Sequence, residues 1–335
     1  MKIIFTFLFF LSIITSAVAQ DASFSQFYSA PLYLNPAYTG TTKGQRLISN
    51  YRNQWPSIPA TFVTYALSYD INFNELNSGF GFLASTDKAG SMGLRSTSFS
   101  LLHSYRVRIN RDWEARSGLS FGYSRRNVDY SRLIFADQLM TAEPGQTSEP
   151  FNNNTFGHYF DFSSGILLQS KQYWFGFAAN HINQPDQSVT ENPDRMPIKY
   201  VIHGGGRFAT YNGVFKRERI LNVAPSFLYK KQGKFDQLDF GMQFFYEPFM
   251  SGIWYRGIPV MQKGNDNSSA DAVTVLLGMK LKDFIVGYSY DLTVSKLGPS
   301  TGGAHEISIS YEIARRKSNK LTRKDKMIPC PAFMR

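Results

Sequence analysis

The chain has 335 residues, of which 43% are hydrophobic and 16% aromatic, with one cysteine and a formal net charge of +11. A single cysteine excludes an intramolecular disulfide, and a mean hydropathy of −0.26 excludes a helical membrane protein. Residues 315–335 hold eight basic residues and one acidic residue, a net charge of +7, so residues 20–314 carry only +3. The basic charge therefore belongs to the end of the chain and does not indicate nucleic-acid binding.

The first nineteen residues have the pattern of a signal peptide. Lys2 supplies a positive charge, residues 3–14 are almost entirely apolar, and Ala17-Val18-Ala19 is the small-residue pattern at which signal peptidase cleaves. The apolar stretch is too short to span a bilayer comfortably, which disfavours a retained anchor. We therefore predict export through a cleaved Sec signal peptide, with a mature chain that begins at about Gln20.

Beyond residue 20, the dominant pattern is alternation of apolar and polar residues with a period of two. This period places successive side chains on opposite faces of a strand, and here one face is apolar and aromatic while the other is small or polar. A wall between lipid and water has this pattern. The alternating segments predict fourteen strands, near 46–55, 60–71, 78–86, 95–109, 112–126, 155–169, 172–181, 199–208, 219–231, 236–246, 249–257, 271–282, 284–293 and 304–314.

The predicted fold is all-β: a transmembrane, antiparallel, up-and-down β-barrel of about fourteen strands in the outer membrane. An even strand count places both termini on the periplasmic side. The predicted organisation is a signal peptide at 1–19, an N-terminal periplasmic or luminal segment at 20–45, the barrel at 46–314 and a basic periplasmic tail at 315–335. Residues 20–45 are expected to enter the lumen or to lie against its rim. A soluble periplasmic sandwich is the alternative fold.

No grouping of residues indicates catalysis or a cofactor. The five histidines are scattered without metal-ligand spacing, and Gly204-Gly205-Gly206 lacks the strand-to-helix context of a phosphate-binding loop. Asn265-Asp266-Asn267 lacks the spacing of an EF-hand. We therefore expect no enzyme activity, no cofactor and no metal. An outer-membrane hydrolase, with acid and base groups at the barrel rim, is kept as an alternative.

Several dense local motifs are not required by a barrel wall. They include N-P-A-Y-T-G at 35–40, Y-R-N-Q-W-P at 51–56, N-H-I-N-Q-P at 180–185, G-Y-S-Y-D at 287–291 and G-G-A-H-E at 302–306. Asn-Pro and Thr-Gly are turn formers, so the first of these is a kinked aromatic segment. The candidate partner-binding residues in these motifs and at the C-terminus are Asn35, Pro36, Tyr38, Gly40, Arg52, Asn53, Gln54, Trp55, His181, Gln184, Pro185, Asp291, His305, Glu306, Cys330, Pro331 and Phe333.

Taken in this order, the motifs resemble the PorP/SprF family of outer-membrane proteins of the Bacteroidetes type IX secretion and gliding motility system. The resemblance runs from about Gln20 to the C-terminus, and the segments at 35–40 and 51–56 are its most specific parts. It implies an integral barrel that serves the secretion machinery itself or pairs with a large secreted, adhesin-like protein. In the second case the barrel helps to export that partner or retains it on the cell surface. The family supplies no catalytic residues to transfer.

The partners implied are outer-membrane lipid, the secreted protein and other proteins of the machinery in the periplasm and outer membrane. The basic tail either docks on an acidic periplasmic partner, which its charge would attract, or is solvated with Cys330 as a free thiol. The alternative function is a passive outer-membrane porin or solute channel, because a barrel of this size can enclose water.

Overall fold

The computed structural model describes residues 21–59, 61–90, 93–129, 156–189, 193–211, 221–258, 272–294, 298–313 and Cys330. Its strands are β1 (Gln45–Gln54), β2 (Phe62–Phe73), β3 (Ser78–Ala89), β4 (Leu94–Arg108), β5 (Trp113–Asn127), β6 (Phe156–Ser170), β7 (Tyr173–Asn180), β8 (Lys199–Gly206), β9 (Phe208–Tyr211), β10 (Leu221–Gln232), β11 (Phe235–Tyr246), β12 (Phe249–Ile258), β13 (Ala272–Leu281), β14 (Phe284–Thr293) and β15 (Ala304–Ile313). Only Arg207 separates β8 from β9, and both pair with β10. They are two parts of one wall strand, so the wall has fourteen strand positions.

The sheet closes on itself. β15 pairs with β1 in antiparallel register along the whole length of both strands, from Gln45 opposite Ile313 to Gln54 opposite Ala304. Consecutive wall strands pair in the same antiparallel way around the ring. In lipid this closure is necessary, because backbone groups at an open edge have no water to bind. The predicted antiparallel barrel of fourteen strands is confirmed, and the alternative of a soluble sandwich is wrong.

Alternation sorts the side chains of the wall between its two faces. On β5, Leu119, Phe121 and Tyr123 point outward and are 61%, 44% and 44% exposed. Glu114 and Arg116 on the same strand point inward, and each is 1% exposed. The outer face is therefore a broad apolar surface that the rest of the chain does not cover, and a lipid bilayer accounts for it.

The links between strands distinguish the two ends of the barrel. At the end we call the turn end, the links are 74–77, 109–112, 171–172, 212–220, 247–248 and 282–283. At the other end, the loop end, the links are 55–61, 90–93, 128–155, 181–198, 233–234, 259–271 and 294–303. The first wall strand begins at the turn end and the last wall strand ends there. The three longest links all lie at the loop end.

Residues 21–44, which we call the inner segment, lie inside the barrel. They form short helical turns at Phe27–Ser29, Pro31–Leu34 and Pro36–Tyr38. The inner segment packs with inward-facing wall residues into a large apolar core, which includes Trp174, Leu228 and Trp254, and into a smaller cluster at Ala66. In the described part of the chain, no helix has the length and apolarity needed to cross a membrane.

The lipid-facing assignment of β5 predicts a different cost for charges on its two faces. Leu119 lies near the middle of the strand on the outer face, so Leu119→Arg is expected to lower the free energy of unfolding by about 2–4 kcal/mol. Ser120→Arg is the matched control, because its side chain points into the lumen where water can hydrate the charge. Denaturant titration of both variants, refolded into lipid vesicles, measures the difference. Equal losses would contradict the assignment.

Candidate functional site

The inner segment reaches the wall where the wall has glycine. The Asn35 side chain accepts a hydrogen bond from the N–H of Ala37 at 2.9 Å and donates to the backbone oxygens of Ile166 and Phe177, each at 3.2 Å. A Cβ on Gly118 would lie 2.3 Å from the backbone nitrogen of Ala37. Two further glycines face Asn35 and its neighbour His203 in the same way. The absence of a side chain at Gly118 lets the backbone of the inner segment approach the wall this closely, and the other two glycines leave room for the side chains of Asn35 and His203.

An ion pair holds the inner segment at the turn end. The Arg46 guanidinium binds the Asp70 carboxylate through two contacts, Nε to Oδ1 at 2.9 Å and Nη2 to Oδ2 at 3.1 Å. Both side chains are 1% exposed. Asp70 also accepts the N–H of Gly40 at 2.7 Å, and Arg46 donates to the backbone oxygen of Tyr38 at 3.3 Å. The wall pair therefore binds the backbone of the N-P-A-Y-T-G motif from two sides.

A second charged cluster lies nearer the loop end. Arg52 on β1 contacts Asp291 on β14 at 2.8 Å and Glu306 on β15 at 3.1 Å, and Arg256 on β12 contacts Asp291 at 3.0 Å. Two arginines therefore face two carboxylates in a buried neutral group. Buried charges are tolerated when they are paired and fully hydrogen-bonded.

The inner segment adds hydrogen bonds to both carboxylates and both arginines of this cluster. The Ser25 hydroxyl accepts from Arg52 and Arg256, each at 2.6 Å, and donates to Asp291 at 2.6 Å. The backbone N–H groups of Ser25 and Gln26 donate to the Glu306 carboxylate at 2.8 and 3.0 Å. Without residues 25 and 26, Glu306 would lose two charge-assisted hydrogen bonds in a dry environment.

A third cluster surrounds Asp21, the first described residue. Its carboxylate lies 2.8 Å from Nε2 of His181 and 3.3 Å from Nζ of Lys199, and Nδ1 of His181 lies 3.0 Å from Asp161. Burial opposes the charged imidazole, but Asp21 and Asp161 outweigh it and raise the pKa of His181 to about 9. Burial likewise opposes the charged carboxylate, but Lys199 and His181 hold the pKa of Asp21 well below its usual range. At neutral pH the histidine is therefore a cation between two carboxylates.

Above the inner segment, a cavity of about 610 Å³ occupies the loop-end half of the lumen. We call it the chamber. Its floor includes Leu32, Tyr33 and Pro36 of the inner segment. Its wall carries serine hydroxyls, charged groups and aromatic rings, namely Ser85, Ser96, Ser98, Ser100, Ser120, Ser124, Ser163, Asp87, Arg126, Asp161, Lys199, Arg256, Trp55, Phe62, Tyr159 and Phe235. The chamber offers both hydrogen-bond donors and acceptors, together with flat apolar surfaces, which suits the binding of a polar chain.

The structure divides the predicted site residues into separate groups. Those of the first motif (Asn35, Pro36, Tyr38, Gly40) are buried in the inner segment, and Arg52, Asp291 and Glu306 meet in one ion cluster. Gln54, Trp55 and His181 line the chamber, whereas Gln184 and Pro185 lie in the 181–198 link and Asn53 and His305 face outward. Cys330 is buried at 1% exposure in the apolar core with Ala37 and Tyr38. Pro331, Phe333 and the rest of the tail lie outside the described residues.

Sequence reasoning missed the residues that position the inner segment. Arg46 and Asp70 lie directly opposite each other on neighbouring strands, and both occupy inward positions of an alternating pattern. Opposite charges at paired inward positions are a usable signal once a strand register is assumed. Ser25 and Asp21 carry no such signal, because their contacts depend on how the inner segment folds back.

The described residues hold no group of three or more His, Cys, Asp or Glu side chains arranged to bind a metal ion. The five histidines are dispersed, since His181 and His203 face the lumen and the other three face outward on strands β4, β6 and β15. The Asn265-Asp266-Asn267 segment lies outside the described residues. The geometry of the lumen is therefore that of a polar binding surface over a fixed floor.

The contact at Gly118 predicts how the lumen can be opened. In Gly118→Ala the new Cβ meets backbone of the inner segment, which has to move, so we expect steady open-pore currents in planar bilayers where the unaltered protein gives none. Gly122→Ala is the matched control on the same strand and face, because its Cβ comes too close to the Ser100 hydroxyl, at 2.7 Å, which can rotate away, while Asp161 at 3.6 Å is at an ordinary contact distance. Steady currents from the unaltered protein, or equal currents from both variants, would contradict a fixed inner segment.

The His181 cluster predicts a pH dependence. The pKa of His181 is about 9 in the folded protein against 6.5 for an unperturbed histidine, so its stabilising contribution is complete below about pH 6.5 and is lost as the pH rises through about 9. His181→Asn removes the cation but tolerates the backbone φ of 58°. The variant should melt below the parent protein at pH 6, and the gap should close near pH 10. Thermal unfolding followed by circular dichroism tests this, and a gap of constant size would refute it.

Several solved structures are similar to this chain in fold. Solved outer-membrane barrels resemble it in architecture at low identity: the toluene transporter TbuX of Ralstonia pickettii (11% identity, TM-score 0.47, 84% of this chain and 92% of that chain) and the monoaromatic hydrocarbon channel CymD (13%, 0.46, 88% and 95%). CdiB from Acinetobacter baumannii is another (7% identity, TM-score 0.44, 81% of this chain and 60% of that chain). At these values the matches carry no information on what this chain binds.

A sequence comparison with curated proteins finds no match. The family model described as "Type IX secretion system membrane protein PorP/SprF" matches residues 16–311, which includes the inner segment and nearly the whole barrel. The resemblance seen in the motifs is therefore confirmed, and this chain belongs to the PorP/SprF family of type IX secretion system membrane proteins.

Proposed function

We propose that this outer-membrane component of type IX secretion holds a segment of a large secreted, adhesin-like partner, and so supports its export or its anchoring on the cell surface, including in gliding motility. The observation that carries the proposal is the asymmetry of the lumen. Most of the inner segment fills the turn-end half, its first residues run along the wall to Asp21 near the loop end, and the chamber occupies the rest of the loop-end half. Such a barrel can bind a ligand that enters from the loop end, and the inner segment would block its passage through the lumen.

The direction of the asymmetry matters for this proposal. Bacterial outer-membrane barrels have short periplasmic turns and longer extracellular loops. The turn end then faces the periplasm, the chamber faces the cell exterior, and export of the chain relies on the predicted signal peptide at 1–19. A partner retained at the cell surface would meet the chamber and the long links 128–155 and 181–198.

The size and chemistry of the chamber fit a short piece of polypeptide. About 610 Å³ is in the range of ligand sites and is too small for a folded domain. Serine hydroxyls on β3 to β6 can pair with backbone N–H and C=O groups, and Trp55 and Tyr33 offer ring surfaces for apolar side chains. Gln54, Trp55 and the link residues Gln184 and Pro185 are then the predicted motif residues that contact the partner directly.

The buried motif residues would have a different role. Asn35, Pro36, Tyr38 and Gly40 form the floor of the chamber and the core beneath it, so they would shape the site without touching the partner. The basic residues of the tail would meet proteins of the secretion machinery in the periplasm, where the tail's charge of +7 attracts acidic surfaces, while Cys330 of the same tail stays in the apolar core.

The alternative of a passive porin has less support. A solute channel needs a continuous water path, whereas residues 24–42 are mostly buried across the lumen and are held by buried ion clusters at two levels. An enzymatic role also has less support, because the acid–base group that lines the chamber, His181 with Asp21 and Asp161, holds its imidazole as a cation at neutral pH and so cannot accept a proton. A non-catalytic binding function agrees best with the family and with the site.

Site-specific crosslinking in cells tests the proposal. A photo-crosslinking amino acid at Ser98, which lines the chamber, should capture the secreted partner as a high-mass adduct that mass spectrometry identifies. The same amino acid at Thr97, the residue before Ser98 on β4, points away from the lumen and should give no such adduct. An assembled barrel that gives no secreted-protein adduct at Ser98, or equal adducts at both positions, would overturn the proposal.

A further inference from the structure

The outer wall carries an unusual basic surface at the loop end of β3 to β6. Alternation turns Lys88 on β3, Arg95 on β4 and Arg125 on β5 outward, away from the lumen. We propose that this surface binds the phosphorylated headgroup of a lipid of the outer leaflet. The proposal is independent of the chamber and of the partner proposed for it.

The height of the surface on the barrel fits a headgroup. Along β4 the outward residues from Val107 to Phe99 are apolar or aromatic, with His103 packed on the ring of Phe80 at 4.8 Å. At about 3.3 Å per residue this stretch covers about 26 Å of strand, enough to cross most of the hydrocarbon layer when tilted. Arg95 lies four residues from Phe99, on the loop-end side of the apolar stretch. β4 has fifteen residues against ten in β1, so these strands extend beyond the apolar band.

Aromatic rings mark the boundary below the basic surface. Phe99, Tyr123 and Phe160 lie opposite one another on β4, β5 and β6, and they are 48%, 44% and 54% exposed. A girdle of this kind forms where the hydrocarbon layer meets the headgroups. The next row toward the loop end is Thr97, Arg125 and His158, and the row after it contains Lys88, Arg95 and Asn127. The basic side chains therefore lie at headgroup level.

The two arginines are close together and held in place. Thr97 is paired with Arg125 and Arg95 with Asn127, so the arginines are diagonal neighbours on one face of the sheet, a separation of roughly 7–8 Å between backbones. The Arg125 guanidinium stacks over the Phe156 ring at 3.6 Å from its centroid. Arg95, Thr97, Tyr123, Arg125 and Asn127 border one open concavity of about 480 Å³ on the outer wall.

These charges lack the compensation found elsewhere on the wall. Within the described residues, neither arginine forms an ion pair with a carboxylate. On the far side of the barrel, the outward-facing Lys231 lies directly opposite Asp236. Adjacent like charges destabilise a sheet unless an anion lies between them. A phosphate supplies that anion, because its oxygens accept paired hydrogen bonds from guanidinium groups.

The concavity and the girdle together select a lipid over a free anion. A phosphate bound between Arg95 and Arg125 would place attached acyl chains against Phe99, Tyr123 and the apolar band below them. Asn127 and Thr97 add polar groups suited to the sugar or glycerol part of a headgroup. The ligand class is therefore a phosphorylated, acylated lipid in the leaflet that faces the loop end.

Native mass spectrometry of the full-length mature protein in detergent tests the proposal. Lipid A is the probe, with dephosphorylated lipid A and inorganic phosphate as comparisons. The unaltered protein should retain lipid A about tenfold better than the dephosphorylated lipid, the factor expected for loss of a charge-assisted contact. The double variant Arg95→Gln/Arg125→Gln should lose that preference. Lys231→Gln, an outward-facing basic residue on the other side of the barrel, is the matched control and should keep it.

Heat-modifiable migration on a gel verifies that each variant has folded, and Arg95→Lys/Arg125→Lys, which retains charge without paired donors, should show an intermediate preference. Retention of lipid A by the double glutamine variant at the level of the unaltered protein would overturn the proposal. Equal retention of phosphorylated and dephosphorylated lipid would also overturn it. If inorganic phosphate displaces lipid A at millimolar concentration, the site recognises a free anion and the lipid assignment fails.

Discussion

The architecture depends on the buried guanidinium of Arg52. It lies between Asp291 and Glu306 with no more than 4% of any of these side chains exposed, and such charges are costly to bury unless every one is paired and hydrogen-bonded. The wall provides the pairing, but it leaves Oε1 of Glu306 without a donor. The N–H of Gln26 supplies that donor, and Ser25 adds a hydrogen bond to each carboxylate. The wall and the inner segment therefore stabilise each other: the buried charges of the wall depend on hydrogen bonds from the inner segment, and the inner segment is held in place by those charges.

The same dependence explains the asymmetry of the lumen. At the turn end, glycines in the wall remove the side chains that would otherwise fill a barrel, and the backbone of the inner segment takes their place. Toward the loop end, the wall positions carry serines that are too small to fill the lumen, and a chamber remains. The lumen is therefore filled by backbone at the turn end and open as a cavity toward the loop end.

Strands β3 to β6 contribute functional residues to both the inner and the outer face of the barrel. Their inward residues supply most of the serine hydroxyls of the chamber, and their outward residues form the aromatic girdle and the basic surface above it. A period of two lets one strand do both without conflict, because neighbouring residues never share a face. A lipid bound outside would hold in place the strands that form the chamber wall, which links the anchoring of the barrel in its membrane to the stiffness of the site.

The sequence by itself determined the wall, because alternation is a local property that survives in a linear string. It located β15, for example, at 304–314 against the observed Ala304–Ile313, and its motifs identified the family. It did not show that Arg52 meets Asp291 and Glu306, since these residues are 239 and 254 positions apart and become neighbours only when β15 closes onto β1. Adjacent residues were misleading for the same reason: His305 faces outward and Glu306 faces the lumen. Which residues share the lumen is decided by strand closure and by the path of the inner segment, and both are set by contacts between distant parts of the chain.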